Sequence, residues 1–148
     1  MDLKFVPLSE PDIELALKMM SEFYAHEGYV FDKEGTKVNM QVLIANQMLG
    51  SYWLIYYNNQ IAGYIILTYS FSFEFKGRTC LLDELYLTPD FRHKGIGTKA
   101  VDFVITFAIE NDLKAMFLEA EYDNNHAITI YEHRGFRKHQ RHLMSKML

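Results

Sequence analysis

The stretch LLDELYLTPDFRHKGIG, residues 81–97, decides the fold of this chain. It opens with a β-rich run that Pro89 stops, because proline cannot donate to a strand ladder. Gly95 and Gly97 follow, and apolar residues recur at helical spacing from Thr98 onward. Glycine costs backbone entropy, so either the turn requires it or a ligand must approach the backbone closely. A glycine turn at a helix N-terminus suits phosphate or pyrophosphate, although a plain strand-to-helix turn would look the same.

Two better-known phosphate motifs fit this stretch less well. The P-loop pattern Gly-x-x-x-x-Gly-Lys-[Ser/Thr] is absent from the chain. A dinucleotide-binding turn needs a third glycine, where this chain has Ala100, and it should follow a first strand rather than a late one.

Composition indicates one ordinary domain over residues 1–148. The chain has 148 residues, of which 49% are hydrophobic, enough for a real core. A formal net charge of −4 gives no electrostatic case for nucleic acid or for an anionic membrane. Cys80 is the single cysteine, and the N-terminus has no signal-peptide pattern, so we expect a soluble cytoplasmic protein. The histidines have no metal-ligand spacing, and no metal is predicted.

Hydrophobic periodicity predicts an α/β domain with a mixed sheet. The interval 79–121 should form a strand–helix–strand crossover with parallel strands. In order, the predicted elements are a strand at 3–8, a helix after Ser9, a loop at 25–35, a helix capped by Thr36, strands at 52–57, 61–75 and 79–87, a helix from 98, a strand at 114–122, a short helix at 124–134 and one or two short strands in the tail.

A second motif, NNHAITIYEHRGF at residues 124–136, lies one strand further on. Asn124, Ala127 and Tyr131 have the spacing i, i+3, i+7 and so share one helix face. A core stripe behind a cap would give the same spacing, but a buried phenol needs a hydrogen-bond partner or a function. Together the two motifs resemble those of the GNAT superfamily of acetyl-CoA-dependent N-acetyltransferases. That resemblance implies a mostly antiparallel sheet with two splayed parallel strands and flanking helices.

The resemblance also implies acetyl-CoA as co-substrate. The pyrophosphate of coenzyme A would bind the amides of residues 93–98, and its pantetheine arm would pair with the strand before the loop. Asn124 would hold the arm further along. The implied cofactor-binding residues are Leu85, Tyr86, Leu87, Arg92, His93, Lys94, Gly95, Ile96, Gly97, Thr98, Asn124, Ala127 and Tyr131.

Acetyl transfer to an amine needs a base for the amine proton and an acid for the departing thiolate. By resemblance, Tyr131 is the acid, and a backbone N–H near Leu85 would polarise the thioester carbonyl. Asp83 and Glu84 are the two candidate catalytic bases. Asp83 aligns with the base of several family members, while Glu84, its neighbour on the strand, would face the opposite side, where it would otherwise bind substrate or pair with an arginine. Two solvated carboxylates at a sheet edge remain an alternative.

Acceptor contacts are expected mainly in the polar, aromatic segment 23–32. The predicted substrate-binding residues are Tyr24, His26, Glu27, Tyr29 and Glu119. The predicted function is acetyl transfer, in a ternary complex, to a primary amine on a small cationic molecule such as a polyamine or an aminoglycoside. A protein or peptide amine as acceptor, and a non-catalytic acyl-CoA-sensing module, are the alternatives. Apolar alternation in the tail would suit a strand that pairs across a homodimer, or an internal edge strand.

Overall fold

Five strands and four α-helices make up the computed structural model, which describes residues 2–148. In chain order they are β1 (Leu3–Pro7), α1 (Ile13–Glu27), α2 (Lys33–Ala45), β2 (Gly50–Tyr57), β3 (Gln60–Ser72), β4 (Gly77–Leu87), α3 (Ile96–Glu110), β5 (Met116–Leu118) and α4 (Asn125–Glu132). The strands lie side by side in chain order, and all neighbours are antiparallel except β4 and β5. This confirms the predicted mixed sheet and its parallel crossover.

Helices cover both faces of the sheet because each carries one apolar stripe. On α1 the buried residues Ile13, Ala16, Leu17 and Met20 follow helical spacing and pack on one face. The stripe of α3, which includes Val101 and Val104, packs on the other face. Alternate residues of β2 and β3 supply the two cores. Within residues 2–148, no helix is long and apolar enough to cross a membrane.

A β-bulge interrupts β4 at Asp83. Glu84 is opposite Ile66 on β3, but Leu67, the next residue of β3, is opposite Leu82, so Asp83 has no partner of its own. Such a bulge shifts the phase of the alternating side chains by one residue. The side chains that follow Asp83 are therefore turned to the opposite faces from those that strict alternation predicts.

The bulge turns Glu84 toward α1. Leu82 belongs to the core on the α3 side, and so does Leu85, although the two are an odd number of residues apart. Tyr86 belongs to the core on the α1 side, where Glu84 also contacts Tyr24 of α1. Leu82 and Glu84 therefore face opposite sides of the sheet, whereas an unbroken strand would turn both to the same side.

The two parallel strands diverge after a short pairing. Backbone pairing between β4 and β5 begins at Cys80 with Met116 and ends at Leu82 with Leu118, whereas β4 continues to Leu87. The last five residues of β4 consequently border a gap instead of a strand. This is the splay that the family resemblance predicts.

The segment between α1 and α2 is more helical than expected. α1 continues to Glu27 and ends at Gly28, whose φ of 75° is typical of a helix stop. Asp32, not Thr36, caps α2, because its carboxylate accepts the Gly35 N–H at 3.0 Å. The predicted loop at 25–35 therefore shrinks to residues 28–32.

The predicted tail strands are wrong. Residues 137–148 form no strand, and all of them are exposed. The neighbouring edge strand, β5, has only 3 residues, so it offers few backbone groups for pairing. The Arg141 guanidinium instead contacts the Glu74 carboxylate, with N–O distances of 3.0 and 2.8 Å.

Candidate active site

The turn from β4 to α3 leaves backbone N–H groups free to bind an anion. Gly95 is the N-cap of α3 with a φ of 76°, and no side chain caps this helix end. The Lys99 N–H bonds to the Gly95 carbonyl at 3.2 Å. The amides of Ile96, Gly97 and Thr98 precede that bond, so they have no partner within the helix. Their dipoles add to the positive end of α3.

The two glycines of this turn differ in backbone conformation and in their surroundings. Gly95 lies in the left-handed region, which favours glycine whatever its surroundings. A Cβ at Gly97 would lie 3.6 Å from Leu87 Cδ1, an ordinary contact. Alanine would also favour the helix by about 1 kcal/mol. Packing within the protein therefore does not require glycine at position 97.

Arg92 and Lys94 lie against the turn itself. The Arg92 Nε donates to the Leu87 carbonyl at 2.9 Å, and its guanidinium lies 5.6 Å from the centre of the Tyr86 ring. The Lys94 ammonium lies 5.3 Å from the centre of the Phe91 ring. These contacts connect the turn to the end of β4 and keep two positive charges beside the free amides.

The short helix α4 provides an unpaired phenol. Its N-cap is Asn124, whose side-chain oxygen accepts the Ala127 N–H at 3.3 Å, so that oxygen serves the helix. Tyr131 is half-buried and packs on the α3-side core, with its ring centre 5.8 Å from that of Phe136. Within residues 2–148 its hydroxyl forms no hydrogen bond. Burial raises the pKa of this phenol, so it remains protonated at neutral pH.

Two tyrosines hold the Glu84 carboxylate. Tyr64 of β3 donates to Glu84 Oε1 at 2.9 Å, and Tyr24 of α1 donates to Oε2 at 3.0 Å. Tyr64 is fully buried and Tyr24 is half-buried. A helix and two strands thus converge on this one side chain.

Both carboxyl groups of the bulge have raised pKa values. Burial raises the pKa of Glu84, and the two phenol hydrogen bonds oppose that shift. The Asp83 side chain is exposed on one side, but the surrounding protein desolvates the carboxyl and raises its pKa, and the Glu119 charge adds to this. Burial together with both carboxylates raises the pKa of Tyr24 to about 12. A raised pKa makes a carboxylate a better proton acceptor near neutral pH.

The predicted acceptor residues fall into two groups. Tyr24 has edge-on contacts with Tyr29 and Phe31, with ring centres 6.1 and 5.4 Å apart, and so extends an aromatic surface from Glu84. Glu119 follows the end of β5 and acts on Asp83. His26 and Glu27 contact each other instead, with Nδ1 and Oε1 at 3.5 Å. Among the described residues, no cluster of three possible metal ligands occurs.

Comparison with known proteins identifies the family. The model of the acetyltransferase (GNAT) family matches residues 16–136, most of the chain. The chain belongs to the GNAT family. The matched span contains both motifs, the splayed strands and the bulge.

Relatives of this GNAT protein include two curated N-acetyltransferases. An uncharacterized N-acetyltransferase, YhfO of Bacillus subtilis (strain 168), is 29% identical over 79 residues, 53% of each chain. The thialysine N-epsilon-acetyltransferase of Bos taurus is 29% identical over 75 residues, 51% of this chain and 44% of that protein. The chain therefore spans about half the length of the curated relatives it matches.

Solved structures match nearly the whole chain. An integron cassette protein from the mobile metagenome of Cole Harbour Salt Marsh is 26% identical, with a TM-score of 0.86 over 97% of this chain and 90% of that one. A predicted acetyltransferase from Clostridium acetobutylicum, solved with acetyl-CoA, is 20% identical, with a TM-score of 0.80 over 98% of this chain and 96% of that one. These similarities confirm the GNAT fold.

The sequence did not predict the hydrogen bonds of two tyrosines. Tyr64 lies in a run typical of a plain core strand, and Tyr86 was expected to take part only through its backbone. The Tyr86 hydroxyl donates to Glu22 Oε2 at 3.2 Å. A phenol in the middle of an apolar strand was the available signal, since its hydroxyl needs a partner.

Neutralising Asp83 should stabilise the fold at neutral pH. The pKa of Asp83 is raised in the folded state, so its protonated form stabilises the fold. This stabilisation is complete below the ordinary aspartate pKa, about 4, and is lost as pH rises through the raised pKa. Asp83→Asn should therefore melt slightly higher than the parent at neutral pH, and the difference should vanish below about pH 4. Thermal melts over a pH series, with Asp90→Asn at an exposed site as control, measure this. A lower melting temperature of Asp83→Asn at neutral pH would contradict it.

Proposed function

We propose that this GNAT protein transfers an acetyl group from acetyl-CoA directly to a primary amine of a small cationic molecule. One observation carries the proposal: a strand that borders a gap leads, through residues 88–95, to a helix N-terminus without a side-chain cap. The residues present fit acetyl-CoA, because the turn leaves three amides free, nothing lies within 4 Å of a Cβ built at Gly95, and the gap begins where β4 and β5 part. Acetyl-CoA would supply the thioester that is cleaved, and coenzyme A would leave as the thiol.

In the proposed reaction, the amine nitrogen attacks the thioester carbonyl carbon. Asp83 accepts the proton that the amine loses, directly or through water, because its carboxyl has a raised pKa and no hydrogen-bond partner among the described side chains. A C–N bond forms, the C–S bond breaks, and the Tyr131 hydroxyl gives its proton to the departing sulfur. A backbone N–H near Leu85 stabilises the negative charge on the carbonyl oxygen. No acyl-enzyme is needed, and Cys80 is fully buried.

Negative charge around the bulge supports a cationic acceptor. The Glu119 charge raises the pKa of Asp83, and the Asp83 charge raises the pKa of Glu84, so the three carboxyl groups lie near one another. Carboxylates in a cleft raise the local concentration of cations, and aromatic faces attract ammonium groups. Polyamines and aminoglycosides combine several amines with a net positive charge, which makes them the first acceptors to test.

A thermal melt with acetyl-CoA is the first test of the donor. At about a hundred times its dissociation constant, a ligand stabilises the fold by roughly 2.7 kcal/mol. For a chain of this size that corresponds to an increase of about 5–10 °C in Tm. ATP and NADH are the controls, and acceptor amines are then screened by release of coenzyme A. An increase with ATP or NADH but not with acetyl-CoA would overturn the proposal.

A further inference from the structure

Glu84 and its two phenols form a carboxylate with a fixed orientation. The phenols bind different oxygens, Tyr64 at Oε1 and Tyr24 at Oε2, so the carboxylate cannot rotate without losing one of them. Tyr64 lies in the middle of β3 and is fully buried, so its own position is set by core packing. Asp83, one residue earlier, has no comparable support. The two adjacent carboxylates are therefore physically different: one is held and one is free.

The held carboxylate still has capacity to bind a cation. A carboxylate offers about four acceptor positions, and the two phenols occupy two of them. Both phenols donate, which favours the ionised form of Glu84. On the solvent side, the edge contacts of Tyr24 with Tyr29 and Phe31 place aromatic rings next to this charge. A fixed anion beside aromatic rings is the chemistry that recognises an ammonium group.

We infer that Tyr64 and Tyr24 are positioning residues that fix Glu84 as the binding partner of a second ammonium group on the acceptor. This rests on the proposed function, in which Asp83 takes the proton. The amine that attacks must be neutral, so an ammonium bound at Glu84 belongs to a different nitrogen of the same molecule. The acceptor is therefore a diamine or a longer polyamine rather than a monoamine.

Tyr52 provides a matched control, because it lies in the same α1-side core as Tyr64. Its ring stacks on that of Tyr64 with centres 5.2 Å apart, and it is 5% exposed, but its hydroxyl has no hydrogen-bond partner among the described residues. Tyr52→Phe thus removes a buried phenol hydroxyl beside Tyr64 without removing a hydrogen bond to Glu84. Tyr64→Phe removes the same atom and one of those bonds.

Steady-state kinetics with paired acceptors tests the inference. Straight-chain diamines, from diaminopropane to diaminohexane, are each compared with the monoamine of the same length. The parent enzyme should prefer a diamine, and Tyr64→Phe should raise the KM for that diamine about tenfold, with kcat and the KM for acetyl-CoA unchanged. Tyr24→Phe should act in the same direction, Glu84→Gln should abolish the preference, and Tyr52→Phe should match the parent.

The pH profile separates binding from proton transfer. Loss of a phenol hydrogen bond favours the protonated form of Glu84. As pH is lowered, binding of the diamine, measured as 1/KM, should therefore be lost at a higher pH in Tyr64→Phe than in the parent. The pH at which kcat falls on the acid side should be the same in both proteins. If kcat falls for diamines and monoamines alike and its acid side moves, Glu84 is the base and the inference is overturned.

Other outcomes are equally decisive. Unchanged kinetics in a Tyr64→Phe variant that melts like the parent would exclude a positioning role for Tyr64. If that variant does not fold, Tyr24→Phe, at a half-buried position, provides the same test. Acetylation of monoamines and diamines with equal kcat/KM would leave the proposed function intact and overturn only the inference. Absence of both an acetyl-CoA melting shift and coenzyme A release would overturn the proposed function, and the inference with it.

Discussion

Tyr131→Phe should lower kcat by about 10²–10⁴-fold and leave acetyl-CoA binding unchanged. The substitution removes only the hydroxyl of a half-buried side chain, and that hydroxyl forms no hydrogen bond among residues 2–148. The ring would still pack on Phe136 and the α3-side core, so the fold should be preserved. Without the phenol, the sulfur must leave as an unprotonated thiolate or take a proton from water. Coenzyme A release at saturating substrates measures kcat, and the acetyl-CoA melting shift measures binding.

Tyr122→Phe is the matched control for this substitution. Tyr122 follows β5 and is 100% exposed, so loss of its hydroxyl should change neither kcat nor Tm. Burial raises the pKa of Tyr131, which predicts that the parent enzyme keeps its activity well into the alkaline range. A Tyr131→Phe variant with the kcat of the parent would exclude this phenol as the acid.

Gly95→Glu should abolish the acetyl-CoA melting shift. Gly95 is the N-cap of α3, and nothing lies within 4 Å of a Cβ built there, so a new side chain begins in open space at the helix end that has the free amides. A negative charge at this helix end would compete with a pyrophosphate for the free amides and repel it. The expected result is a folded protein with no increase in Tm at acetyl-CoA concentrations that stabilise the parent.

Backbone strain is the competing explanation, and Gly28→Glu controls for it. Gly28 has a φ of 75°, close to the 76° of Gly95, and nothing lies within 4 Å of a Cβ there either. A left-handed non-glycine residue costs about 1–2 kcal/mol at both positions, so both variants should melt lower than the parent. Only Gly95→Glu should also lose the ligand shift. Loss of the shift in both variants, or in neither, would contradict the pyrophosphate site.

Local residue patterns were sufficient to predict the strand, the turn and the helices that surround the candidate site. Pro89 and the two glycines placed the end of β4 and the start of α3, because proline and glycine act on the backbone at their own positions. The spacing of Asn124, Ala127 and Tyr131 placed α4, since helix periodicity is a short-range property. The tail strands failed for the complementary reason: apolar alternation allows a strand, but only an available sheet edge forms one.

The sequence by itself determined the order of the elements, the parallel crossover and the glycine turn, because each depends on residues within a few positions of one another. Only the tertiary structure decided what the two carboxylates do. The bulge at Asp83 exists because β4 pairs with β3 in a particular register, and that register turns Glu84 toward α1. There it meets Tyr64 and Tyr24, which are 20 and 60 positions away in the chain. Strand register and helix packing bring these groups together, and neither is a property of any local stretch of residues.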